Sequence, residues 1–65
     1  MNTNRLWKKI ETLQDEVIEM EDEKRDLILH AENLDEIRAR LNDLTAQIMW
    51  NMGAIYALRE VIKEA

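Results

Sequence analysis

The chain has 65 residues, a net charge of −5, 35% charged residues, a single Gly and no Cys, Pro, Ser or Phe. The lack of cysteine excludes disulfides and thiolate metal sites, so a chain this short must be stabilised by regular helix packing or by association. The negative balance argues against a general nucleic-acid binder, and no apolar run reaches the roughly 20 residues that cross a bilayer.

The N-terminal stretch carries Arg5, Lys8 and Lys9 with no apolar segment behind them, so it does not read as a secretory signal. The expectation is a cytoplasmic protein without membrane attachment. Leu6, Ile10, Leu13, Val17, Met20, Lys24, Leu27 and Ala31 then recur at alternating spacings of four and three. That is a heptad seam with one polar interruption, Lys24. Seven acidic residues and no basic one fall between Glu11 and Glu23, while basic residues collect at Arg5/Lys8/Lys9, Lys24/Arg25, Arg38/Arg40 and Arg59/Lys63. A second seam runs through Ile37, Leu41, Leu44, Ile48, Asn51, Ile55, Leu58 and Ile62, again with one polar interruption.

Ala31, Leu34 and Ile37 are separated by two consecutive steps of three, a phase shift that marks a break or a stammer. Asn33 favours a break in either of two ways. As a left-handed helix cap it would fold Leu34 back on Leu29 and leave Asp35 to cap the next helix. As an N-cap it would pair with Glu36 in a capping box. Either way the fold class is all-α, a single domain over residues 1–65. It places a helix over about residues 3–32, a turn at about 32–35 and a helix over about 35–64, packed as an antiparallel hairpin. A long parallel coiled coil is the alternative. In the hairpin Val17 lies opposite Ile48, Leu13 opposite Asn51 and Met52, Ile10 opposite Ile55, and Leu6 opposite Leu58.

One seam per helix leaves apolar side chains over. From Ala46 to Leu58 only Gln47 and Asn51 are polar, and a helix apolar nearly all round must be covered nearly all round. Met49, Met52 and Tyr56 flank the second seam on one side, and Trp50, Ala54, Ala57 and Val61 on the other. Trp7, Ile18 and Ile28 add to the surplus. Two hairpins pairing into a four-helix bundle is the simplest cover, which makes a homodimer the expected assembly. Gly53 with Ala57 forms a small-residue ridge on which another helix can approach closely, unless it is simply a tolerated exposed glycine. Asn51 either pairs with its copy across a dimer axis or sits at a solvent-facing rim. The expected oligomer or partner interface is therefore Met49, Trp50, Asn51, Met52, Gly53, Tyr56 and Ala57.

Chemistry-bearing patterns are sparse. His30 follows Asp26 and Glu23 by four and seven residues, but Glu-x-x-His is absent because Leu27 stands where its Glu would be, and a solvated face is the simpler reading. Without Cys, Ser or a Gly-rich loop the chain lacks the parts for nucleophilic or phosphate chemistry, so no enzyme and no cofactor is expected. Asp15, Glu19, Asp22 and Glu23 share an outward face, either a solubilising surface or one that meets a basic partner.

In size and hydrophobic pattern the chain resembles the small dimeric helical-hairpin RNA-binding regulators of the Rop type. No residue motif carries that resemblance, so it implies architecture and not function. Three functions follow as expectations. The first is an interaction module that regulates or inhibits an unidentified protein partner. The second is a Rop-like nucleic-acid binder gripping phosphates with its basic ends, and the third an acidic nucleic-acid mimic.

Overall fold

Strong helix formers fill the chain, Pro is absent, and its single Gly lies late, at position 53. In the computed structural model, which describes residues 3–64, they form two long helices: α1, Asn4–His30, and α2, Leu34–Glu64. The helices pack antiparallel along a rod of 50 × 14 × 11 Å. The hairpin is therefore the architecture, and the long parallel coiled coil is not. The four helix ends, at 4, 30, 34 and 64, compare with the expected 3, 32, 35 and 64.

Residues 31–33 make the turn, and of the two readings of Asn33 the N-cap is the one found, though without the reciprocal Glu36 bond of a capping box, since Asn33 Oδ1 accepts from Asp35 instead. The Asp35 amide donates to Asn33 Oδ1 at 2.9 Å, and the Glu36 amide to the Asn33 carbonyl at 3.2 Å. Two donors orphaned at the start of α2 are thereby satisfied. The left-handed cap is corrected. Ala31 is extended, with φ −75° and ψ 130°, and no described non-Gly residue has positive φ. A left-handed turn costs an L-residue about 1–2 kcal/mol, whereas the extended route also frees the Asn33 side chain to cap. Leu29 and Leu34 consequently remain exposed and do not fold onto each other.

Every seam position named above is buried or half-buried. Ile10 and Leu44 are the most deeply enclosed, and Ile10, Leu13 and Ile55 form a cluster against which Ala54, Leu58 and Ile62 pack. Lys24, the charged interruption, is half-buried, in keeping with a stem laid on the seam and an ammonium in water.

Asn51 behaves differently from both expectations. It is only 8% exposed, and its Nδ2 donates to Glu16 Oε2 at 3.0 Å and to the Leu13 carbonyl at 3.4 Å. It is thus neither at a rim nor turned toward a copy of itself. Its partners lie on α1, and the seam's one buried polar side chain is satisfied within the hairpin.

Nearer the turn a second polar clamp joins the helices. Arg40 Nη2 donates to both carboxylate oxygens of Glu23 at 2.9 Å, and Nη1 to Asp43 Oδ2 at 3.3 Å. The hydrogen bond and charge of Glu23 are the main influences raising the Arg40 pKa, so the guanidinium keeps its charge at any pH the fold meets.

Two stability measurements test this account. Asn33→Ala should cost about 1 kcal/mol in urea unfolding, and Asn33→Gly only a few tenths. Asn51→Leu should raise stability by about 1 kcal/mol, because the Glu16 carboxylate returns to water and the Leu13 carbonyl keeps its place in the helix. It should also loosen the register, read as broader amide signals along α1. Equal losses for both Asn33 variants, or a large loss for Asn51→Leu, would contradict these assignments.

Candidate interaction surface

With one stripe of each helix turned inward, the seven-residue interface expected from the sequence divides. Asn51 faces α1 as described. The other six, Met49, Trp50, Met52, Gly53, Tyr56 and Ala57, are all exposed. Trp50 is 81% exposed, and Met49 and Tyr56 are 68% exposed. Among the described residues a core of five buried hydrophobic side chains thus sits beside ten large hydrophobic ones that are exposed. Such exposure of large apolar groups is uncommon on a monomeric protein.

The six exposed residues of the expected interface occupy two flanks and the back of α2. On one flank a groove of about 550 Å³ runs between the helices, its apolar wall made by Val17, Ile18, Met52, Ile55 and Tyr56. Ile18, surplus on α1 by the seam pattern, supplies the opposite lip. On the other flank Trp50 stands over Met20, Gln47, Glu16 and Glu19, around a smaller hollow of about 270 Å³. From the Trp50 flank toward the outer side of α2, Met49, Trp50, Gly53 and the half-buried Ala54 line a shallow depression. An ideal Cβ placed on Gly53 would meet nothing within 4 Å. The glycine is therefore not required by packing inside the hairpin.

The acidic face is less uniform than its sequence. Asp15 and Glu19 are exposed, but Asp22 accepts from Arg25 at 3.2 Å and Glu23 is half-buried under Arg40. At the turn end Arg38 is likewise paired, with Asp35 at 2.9 Å. Three of the four basic residues expected to cluster there, Arg25, Arg38 and Arg40, are thus already matched by carboxylates.

His30 Nδ1 lies 2.9 Å from the Asp26 carbonyl, to which it donates as the protonated nitrogen. Glu23 is held by Arg40, and among the described residues no group of three or more His, Asp or Glu side chains is placed to hold a metal ion. The sequence reading missed Glu16 as a functional neighbour. Its signal was positional: Glu16 lies one turn beyond Leu13, the residue set opposite Asn51. The Arg40–Glu23 clamp carried no comparable signal, because the acidic run of α1 offered Arg40 several neighbouring carboxylates.

The hollows are open, the larger groove has a mostly apolar wall, and the smaller one is rimmed by Glu16, Glu19 and Gln47. What such an arrangement can do is pack against another apolar surface. Compared with protein-family models, curated proteins and solved structures, the chain matches none of them.

Proposed function

We propose that this chain is a small, non-enzymatic cytoplasmic interaction protein, a helical hairpin that dimerises and regulates or inhibits a larger protein partner. One observation carries the reading: Met49, Trp50, Met52 and Tyr56 stand in water on a helix whose inward face is already occupied. Trp and Tyr, together with Met, are enriched at the centres of protein interfaces, where they bury large area at low entropic cost.

At the turn end the charge arrangement favours this reading over the Rop-like alternative. Phosphate binding by the turn end would have to compete with carboxylates already bonded to Arg25, Arg38 and Arg40. The acidic mimic is left with Asp15 and Glu19 as its exposed carboxylates without an ion pair among the described residues, a weaker surface than the four-residue face in the sequence.

Light scattering after size exclusion tests the dimer. The chain should elute with twice its 7.8 kDa mass at tens of micromolar, and Trp50→Glu should return it to monomer with its helicity intact. Binding of a generic duplex RNA should be undetectable even at low salt. Tight binding that falls steeply with added salt would instead support the basic-end reading.

A further inference from the structure

We infer that the second copy docks along the back of α2, antiparallel to it, with the two-fold axis passing beside residue 51. This rests on the homodimer reading above and fixes its geometry. The area is appropriate. A compact monomer of 7.8 kDa exposes about 4,400 Å², whereas this chain exposes 5308 Å². The open rod thus carries roughly 900 Å² more surface than a compact fold, enough to supply the ~800 Å² that each partner contributes to a standard interface.

The residues specify the register. On the side of α2 away from α1, Asn42, Ala46, Met49, Gly53, Tyr56 and Glu60 alternate by three and four, a second heptad seam parallel to the buried one. All but the half-buried Glu60 are exposed. Large and small residues alternate along it. With the axis beside residue 51, Met49 meets the second copy's Gly53, Ala46 meets the second copy's Tyr56, and Asn42 meets the second copy's Glu60.

Each apolar layer thus sets one large side chain against one small one, the arrangement that fills space without voids or strain. A parallel pair would instead oppose Gly53 to Gly53, Tyr56 to Tyr56 and Glu60 to Glu60, leaving a void, a clash and a repulsion. Antiparallel packing also opposes the helix dipoles favourably. It brings Trp50 toward its copy on one flank of the axis and Met52 toward its copy on the other. A bundle closed only over the Ile18–Met52 groove would leave Trp50 in water.

Gly53 gains a reason in this geometry. Nothing within the hairpin needs it, since a Cβ there meets open space, and glycine weakens a helix interior. Opposite the second copy's Met49, its missing side chain is the hole that receives the knob.

The native chain has no cysteine, so introduced thiols report contacts without interference. Ala46→Cys and Tyr56→Cys chains, mixed and mildly oxidised, should give a covalent heterodimer. Neither alone should, because residue 46 lies about 15 Å along the axis from its own copy, beyond the ~7 Å Cα limit for a disulfide. Gly53→Leu should weaken dimerisation about tenfold or more while circular dichroism shows undiminished helix. A wild-type chain that stays monomeric in light scattering would overturn both the homodimer reading and this geometry. A dimeric wild type whose mixed cysteine chains do not cross-link, with Gly53→Leu also dimeric, would overturn the geometry alone.

Discussion

Two helices joined by a three-residue turn can bring one stripe of each together, and α2 carries more apolar surface than one stripe. Most features of this molecule follow from that mismatch. The first stripe is used inside the chain, where Leu44, Ile48 and Ile55 close against α1 and leave Ile10 and Leu44 nearly inaccessible. The remaining arc, from Met52 round to Trp50, has no α1 surface left to meet. A polar outer face would have made the same hairpin self-contained, so the sequence of α2 is better suited to a central helix than to one half of a pair.

Asn51 lies where these two demands meet. On the seam it interrupts an otherwise aliphatic row, and its bonds to Glu16 and the Leu13 carbonyl link α2 to one height of α1. Aliphatic contacts tolerate sliding of one helix past another, whereas a buried amide does not, because a shift would leave it unpaired. Near the turn the Arg40–Glu23 clamp adds a second, more solvated restraint. The inner register therefore rests on polar contacts, and the apolar residues supply the attraction.

The hairpin could be read from the sequence because its physical signal is periodic. The phase slip at Ala31, Leu34 and Ile37 placed the turn, and each of the sixteen seam positions turned inward. The conformation of the turn was less legible. Asn33 suits both a left-handed C-cap and an N-cap, and the choice depends on an extended Ala31 for which alanine has no special preference. Asn51 stood out as the polar interruption of the second seam, but neither its burial nor its partner could be read there, because both depended on which rotamer reached across the seam. That α2 has an unoccupied face was likewise evident from Ala46 to Leu58. The division of that run between inner seam and outer surface required the helix phase.

Trp50 gives the most direct test that another chain covers this face. In a Trp7→Phe background it is the one tryptophan, and in a single hairpin it is 81% exposed. Its emission should shift to the blue and its quenching by iodide should fall as the concentration rises through the association range. Red-shifted emission, equally quenched from nanomolar to hundreds of micromolar concentration, would contradict the account.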